Sequence, residues 1–129
     1  MDATIPVEYL RECFEHREDG ALIWRARPAH HFDTAKLQAM VNGRCAGKVA
    51  ATKNAEDYLV VSLQWQGRQR KLLVARVIWA MEHGAWPANP LDHINRVRGD
   101  NRLENLRDVP WSVNAANRGA RGSYQRAEA

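Results

Sequence analysis

Residues 91–107, LDHINRVRGDNRLENLR, bring together side chains that could do chemistry. Asp92 and His93 are adjacent, and asparagines and arginines fill much of the stretch behind them. Histidine accepts a proton near neutral pH. A carboxylate with amide oxygens is a hard, oxygen-only ligand set, which suits Mg²⁺ or Mn²⁺ and does not suit structural zinc. Together these groups could activate a water for phosphodiester hydrolysis, whereas an isolated Asp-His pair is usually structural.

The composition is that of one globular domain. The chain has 129 residues, of which 45% are hydrophobic and 26% are charged. Its apolar runs are far shorter than a bilayer span, and the N-terminus lacks the apolar core of a signal peptide, so we expect a cytoplasmic protein. The two cysteines, Cys13 and Cys45, are too few for a disulfide framework or a thiolate zinc site.

The basic residues favour arginine, with 15 arginines against 4 lysines in a chain of net charge +4. Guanidinium groups make planar, bidentate contacts to phosphate. From Arg44 to Arg76, both included, there are seven basic residues and only two acidic ones, Glu56 and Asp57. This stretch could attract nucleic acid, and a solubilising surface would explain the same charges equally well.

The spacing of apolar residues predicts an α+β fold, a small antiparallel sheet with helices. Residues 58–65 alternate as a strand, and Gln66-Gly67 can form the turn to a partner strand over 68–74. The predicted helices cover 5–16, 74–83 and 111–118, and the other predicted strands cover 21–27, 44–51, 90–94 and 105–109. We expect irregular structure at 28–43, where adjacent histidines (30 and 31) could bind metal but fit a solvated loop better, and a polar loop at 95–104.

The polar stretch and the segment after it resemble a known motif. The letters DHIN (92–95), DNR (100–102), NLR (105–107) and SVNAANR (112–118) are similar to the HNH, or ββα-metal, motif of small phage and prophage HNH endonucleases, which are related to the HNH homing endonucleases. The resemblance covers residues 91–118 and continues more weakly upstream. It implies one domain with an N-terminal scaffold or DNA-binding part at 1–88, a ββα-metal core at 89–118 and a flexible tail at 119–129.

The resemblance also implies roles for single residues. His93 would be the general base that takes a proton from the attacking water. Asp92 and Asn114 would hold one divalent ion, Mg²⁺ or Mn²⁺, and Asn105 would brace the loop and orient the histidine. From their residue type we expect Asn95 and Asn101 to be turn formers instead.

The expected partner is DNA, with no membrane association, and the expected state is a monomer or weak dimer. If the protein is phage-encoded, packaging or recombination proteins are candidate partners. Arg102 and Arg107 could clamp phosphate or could pair with nearby acidic residues, and the sequence supports these two hypotheses equally. The residues predicted to contact DNA are Arg68, Arg70 and Lys71 at the hairpin tip, with Arg76, Arg102 and Arg118.

Two departures from the motif keep a second hypothesis open. The usual Asn-Gly-Asp turn reads Asn95-Arg96-Val97, so we expect Gly99 to supply the positive φ that the turn needs. Ala75 stands where many relatives have a histidine. The main prediction is a metal-dependent DNA endonuclease, and the alternative is a non-catalytic DNA-binding or assembly module on a degenerate HNH scaffold. A structure-selective or RNA nuclease is also compatible with the motif.

Overall fold

The computed structural model describes residues 5–110, which form three small antiparallel sheets and three helices. None of the helices in this part of the chain is long and apolar enough to cross a membrane. The helices are α1 (Val7–Cys13), α2 (Ala35–Cys45) and α3 (Val74–His83). The strands are β1 (Phe14–His16), β2 (Leu22–Trp24), β3 (Thr52–Lys53), β4 (Leu59–Trp65), β5 (Arg68–Leu73), β6 (Leu91–His93) and β7 (Leu106–Asp108).

The central hairpin confirms the prediction for residues 58–74 at nearly every position. β4 pairs with β5 from Val60↔Leu73 to Trp65↔Arg68, and β3 adds a short third strand. Gln66 and Gly67 both have positive φ, at 52° and 76°, as a two-residue turn that matches the strand twist requires. Leu63 and Leu72 are buried beneath this sheet, so alternation alone was sufficient to place the strands.

The helix predicted at 74–83 is α3, with the same bounds. Gly84 ends it in the left-handed region at φ 79°. Val77 and Ile78 are fully buried, and α3 packs against α1, whose Arg11 donates to the Met81 carbonyl through Nε and Nη2 at 3.1 and 2.7 Å. This packing joins the N-terminal segment to the core beneath the sheet.

Two of the N-terminal elements are shorter than predicted. The helix expected over 5–16 ends at Cys13, because Phe14 turns extended (φ −135°) and begins β1. Phe14 is fully buried and pairs with Trp24 of β2, and a helical continuation would not allow this strand pairing. The strand expected over 21–27 is therefore three residues long.

The predictions for residues 28–51 were wrong in two places. The region expected to be irregular contains a 3₁₀ turn at Ala29–His31 and the eleven-residue helix α2, capped by the Thr34 hydroxyl, which accepts from Leu37 N at 3.0 Å. No residue of α2 is buried, and its apolar residues at helical spacing are limited to Leu37, Met40 and Val41, so the helical pattern in the sequence is weak. The strand expected over 44–51 is reduced to a single bridge between Ile23 and Val49, because the helix continues to Cys45.

β6 and β7 form the third sheet and confirm the two short strands expected around 90–94 and 105–109, each trimmed to three residues. The helix predicted over 111–118 and the tail over 119–129 lie outside the described residues. The third element of the expected ββα motif therefore stays a prediction, as does the division of the chain at residue 88.

The turn at Arg96 is formed differently from the expectation. Arg96 itself adopts φ 65°, and Gly99 is not among the residues with positive φ, so the expectation that Gly99 supplies this geometry was wrong. Val97 N donates to Asn95 Oδ1 at 2.9 Å, and Arg96 N donates to the His93 carbonyl at 2.8 Å. These bonds hold the arginine in a conformation that costs an L-residue roughly 1–2 kcal/mol.

Comparing Arg96→Gly with Arg96→Ala should isolate this backbone cost. Both variants lose the side chain, but only glycine adopts φ 65° without strain. We expect Arg96→Gly to be more stable than Arg96→Ala by about 0.5–1 kcal/mol, since glycine's larger unfolded-state entropy offsets part of the relief. Urea denaturation gives the two free energies of unfolding, and an alanine variant as stable as the glycine variant would show that the turn is not strained.

Candidate active site

The register of β6 and β7 positions Asp92 and His93. Asp92 lies opposite Arg107, and His93 lies opposite Leu106. Cross-strand partners share a face and neighbours along a strand point to opposite faces, so Asp92 and His93 project to the two sides of this narrow ribbon. Both side chains are nevertheless buried. A site that uses both residues must therefore include groups on both faces of the strand.

Asp92 is held by its cross-strand neighbour. Arg107 Nε donates to Asp92 Oδ2 at 2.8 Å, and the carboxylate is only 5% exposed. Burial of a charged carboxylate is costly unless it is paired or binds a cation. The Asp92 carboxylate is an anionic oxygen group of the kind that Mg²⁺ and Mn²⁺ prefer, and its role as a metal ligand stays a prediction.

His93 is bound by an asparagine of the following loop. Its Nε2 lies 2.8 Å from Asn101 Oδ1, and both side chains are buried. A carbonyl oxygen can only accept, so Nε2 carries the proton in this contact. Burial lowers the pKa of His93 below that of an exposed imidazole, which favours the neutral form at neutral pH.

Asn105 ties the loop together. Its Nδ2 donates to Asn95 Oδ1 at 2.9 Å and to the Asp100 carbonyl at 2.8 Å, and its Oδ1 accepts from Asn95 N at 3.0 Å. These contacts brace the loop that returns from β6 to β7. The side-chain contact to His93 comes from Asn101, and a catalytic role for Asn105 stays a prediction.

Two arginines of this region form ion pairs. Arg102 binds both oxygens of Asp100, at 2.8 and 2.7 Å, and holds the pKa of that carboxyl at about 2. Arg107 pairs with Asp92, not with Asp108, whose carboxylate accepts from the backbone N–H groups of residues 88 and 89. Both guanidinium groups are about 40% exposed, so their pairing leaves surface that could meet phosphate. Phosphate contact by Arg102 stays a prediction.

A cavity of about 320 Å³ opens beside His93. Arg76 and Arg98 contribute to its wall together with Asn101, and Ala75 lies on its α3 side. The sequence analysis predicted that Arg76 contacts DNA but did not predict that it lies close to His93. The structure brings both residues to one cavity, which has room for solvent and a phosphate next to the imidazole.

The three basic residues predicted at the hairpin tip do not share one face. Arg68 and Arg70 are two residues apart and lie opposite Trp65 and Leu63, so they occupy the face that turns toward the core, whereas Lys71 lies on the outer face. Arg70 is partly buried, and its Nε has no hydrogen-bond partner among the described residues. The hairpin therefore presents its positive charge on two sides, and its contact with DNA stays a prediction.

A second group of potential metal ligands lies away from β6. The ligand atoms of Glu12, His30 and His31 are all within 4.8 Å of one another, which is close enough to hold one ion. A metal-bound histidine usually donates its other ring N–H to an acceptor. In His31 that nitrogen, Nδ1, accepts from Arg27 Nε at 3.0 Å, so Nε2 carries the proton that Glu12 Oε1 accepts at 2.7 Å. The cluster has the ligand types of a metal site but is arranged as a hydrogen-bond network.

The expectation of a solvated loop at these histidines was wrong for His31. Its side chain is fully buried and stacks on Tyr9 at a centroid distance of 4.1 Å. Burial lowers the pKa of His31, which agrees with a neutral ring. His30 remains mostly exposed, so the sequence expectation holds for one of the two neighbours.

Sequence reasoning missed Asn101 at this site. A polar residue in a loop full of asparagines was assigned to turn formation, and nothing in its own spacing distinguishes it from Asn95. The remaining predicted site residues, Asn114 and Arg118, lie outside the described residues. Their placement as a metal ligand and a DNA contact therefore stays a prediction.

The fold places a buried Asp-His pair on a two-stranded ribbon of a small α+β protein. Residues 73–116, about a third of the chain, match the family model described as HNH endonuclease. The match includes α3, the sheet of β6 and β7, and the loop that carries Asn101. None of the curated proteins compared with the chain matches its sequence.

A solved structure shows the same fold over most of the chain. It is the structure of DNA binding and cleavage by the HNH homing endonuclease I-HmuI, with a TM-score of 0.56 and 18% sequence identity over 89% of this chain and 56% of that one. The present chain thus corresponds to little more than half of that protein's length. The comparison confirms the predicted α+β fold class and its small antiparallel sheets.

Proposed function

We propose that the protein is a metal-dependent DNA endonuclease with His93 as the general base. The observation that supports this most directly is the buried histidine next to the buried Asp92, with its Nε2 proton bound by Asn101 at 2.8 Å, inside the segment that matches the HNH family model. A neutral imidazole with the proton on Nε2 has its lone pair on Nδ1. That nitrogen is the atom able to accept a proton from water.

The proposed base, His93, and the proposed metal ligand, Asp92, lie on opposite faces of the β6–β7 ribbon. His93 takes a proton from the water whose oxygen attacks phosphorus. The bond from phosphorus to the 3′ oxygen breaks, and that oxygen takes a proton from solvent, which gives 5′-phosphate and 3′-hydroxyl ends. Asp92, with Asn114, would hold a Mg²⁺ or Mn²⁺ ion, which when bound stabilises negative charge on the phosphate and the leaving group. Arg76, on the wall of the same cavity, would position the phosphate. One such site cuts one strand.

The second candidate is a non-catalytic DNA-binding module. The pairing of Asp92 with Arg107 favours it, because this contact neutralises the carboxylate without a metal ion. The alanine at position 75 contributes no polar group to the cavity, where a histidine is expected from the motif. These features do not remove the base or the carboxylate, so we retain the endonuclease as the first proposal.

Supercoiled plasmid distinguishes the two candidates. Incubation with protein and Mg²⁺ or Mn²⁺ should yield nicked circles, and EDTA should abolish the conversion. A preparation of the Asp92→Ala variant, purified identically, controls for contaminating nuclease. Plasmid that is bound in a gel-shift assay but stays supercoiled with either metal would support the non-catalytic module and reject the endonuclease.

Alanine at Asp92 or at Asn114 should weaken Mn²⁺ binding at least about tenfold, because a shell with two protein ligands has no substitute for either. Calorimetric titration with Mn²⁺ measures the effect. Asp33→Ala, which removes an exposed carboxylate elsewhere, is the control for the lost charge. Unchanged Mn²⁺ affinity in both variants would refute the ligand assignment.

A further inference from the structure

Asn101 is the most deeply buried polar residue of the described chain, with 1% exposure, and its side chain is directed at His93. Its Oδ1 accepts the His93 Nε2 proton at 2.8 Å. Its Nδ2 is buried and has no hydrogen-bond partner among the described residues. A buried amide that leaves one donor unsatisfied is costly, so a purely structural residue at this position would be expected to be apolar. The contact with the imidazole is the one polar interaction that justifies an asparagine here within the described chain.

The backbone on either side of Asn101 is fixed. The Asp100 carbonyl accepts from Asn105 Nδ2 at 2.8 Å, and the Asp100 carboxylate binds Arg102. On the other side lies the turn that ends at Gly20. A Cβ on Gly20 would come within 2.6 Å of Arg102 N and 2.8 Å of the Asn101 carbonyl carbon, so the two backbones touch. The backbone that carries the Asn101 side chain is therefore held in place beside the imidazole.

A fixed acceptor at Nε2 selects one of the two neutral forms of the ring. With the proton on Nε2, the lone pair lies on Nδ1, whereas the other tautomer would place two acceptor atoms, Nε2 and Oδ1, against each other. In isolated imidazole the two forms lie close in energy, so one hydrogen bond is sufficient to set the ratio. The ring's orientation is fixed by the same contact.

We propose that Asn101 is a positioning residue that fixes the tautomer and orientation of His93, so that the lone pair used for proton transfer lies on Nδ1. The inference rests on the proposed function, since it explains how His93 acts as a base. It does not require Asn101 to touch DNA or metal. It assigns to this loop asparagine a role different from turn formation.

The tautomer can be measured in the free protein, without DNA or metal. ¹⁵N chemical shifts of the imidazole nitrogens report which one is protonated, and the His93→Ala spectrum assigns the His93 signals among the five histidines. The wild-type protein above the titration range should show His93 protonated on Nε2. A wild-type ring protonated on Nδ1 would overturn the proposal, because the amide would then be donating to Nε2. This result is independent of whether the protein cuts DNA.

Two variants test whether Asn101 causes the preference. Asn101→Leu keeps the number and branching of side-chain heavy atoms and removes the acceptor. It should give a mixture of tautomers and a nicking rate at saturating plasmid about 10–100-fold lower, with unchanged half-saturation. Asn101→Asp keeps an acceptor and should retain the Nε2 proton even if the leucine variant fails to fold. Asn42→Ala is the control for the loss of an amide side chain, since Asn42 lies in α2 and binds the backbone of Arg27. The proposal would be overturned if His93 kept the wild-type tautomer in Asn101→Leu, or lost it in Asn101→Asp.

Discussion

Replacing His93 with alanine is expected to leave plasmid binding and Mn²⁺ affinity at wild-type levels and to slow nicking at least about a hundredfold. His93 is proposed as a base and not as a ligand, so its loss should affect the chemical step alone. The imidazole is buried beside Asn101 on the face of β6 opposite to Asp92. Removing it should therefore leave the carboxylate and its arginine partner in place.

The wild-type rate should depend on pH in the direction that the burial of His93 sets. Burial lowers the pKa of this imidazole below about 6.5, the value of an exposed ring. The neutral form is the proton acceptor, so the nicking rate should rise as pH increases through the lowered pKa and should be level at neutral pH. A rate that keeps rising well above pH 7 would point to a different ionising group.

Structural damage is the main confounder for His93→Ala, so the variant must match the wild-type circular dichroism and melting temperature. His83→Ala is the control for loss of an imidazole, since His83 is exposed at the end of α3 and stacks on Trp79. A folded His93→Ala protein that nicks at the wild-type rate would exclude His93 as the base. The contact between Asn101 and His93 in the wild-type protein would not change that conclusion.

The second large effect is expected from Gly20→Ala, which should lower the free energy of unfolding by about 2–5 kcal/mol. Gly20 has φ 91°, where an L-residue is strained, at a cost of roughly 1–2 kcal/mol. Its added Cβ would also lie 2.6 Å from Arg102 N, which is backbone and cannot rotate away. Forcing such an overlap typically adds about 1–3 kcal/mol.

Gly47→Ala separates these two causes. Gly47 has a similar φ of 85°, but a Cβ there would meet nothing within 4 Å. The control should therefore show the conformational cost alone, and Gly20→Ala should exceed it by at least about 1 kcal/mol in urea denaturation. Equal losses in the two variants would mean that the contact between Gly20 and the loop does not constrain the structure.

The sequence predicted those elements that bury a periodic set of apolar residues. α3 was placed at its bounds because Val74, Val77, Ile78 and Met81 recur at helical spacing and are all buried. The β4–β5 hairpin followed from alternation for the same reason. α2 was missed because its helical pattern is limited to Leu37, Met40 and Val41, none of which is buried, and its Thr34 cap alone was too weak a signal.

The residues of the candidate site were also predicted only in part. Asp92 and His93 were found because adjacent residues of these types stand out in a motif. Asn101 was not assigned to His93, because a contact between residues eight positions apart depends on how the loop folds back, and composition does not report this. The positive φ of Arg96 was missed because glycine was expected at such a position, whereas the hydrogen bonds of Asn95 and His93 hold an arginine there.

The contact of Gly20 with residues 101 and 102 has a consequence for how this site can be moved or shortened. The segment that matches the HNH family model begins at residue 73, more than fifty residues after the turn that forms one wall of its loop. A graft of residues 73–116 onto another scaffold would carry the acid and the histidine but would leave the Asn101 backbone without that wall. The host would have to supply a glycine turn at the same place, and a library of host loops could be selected for the one that does.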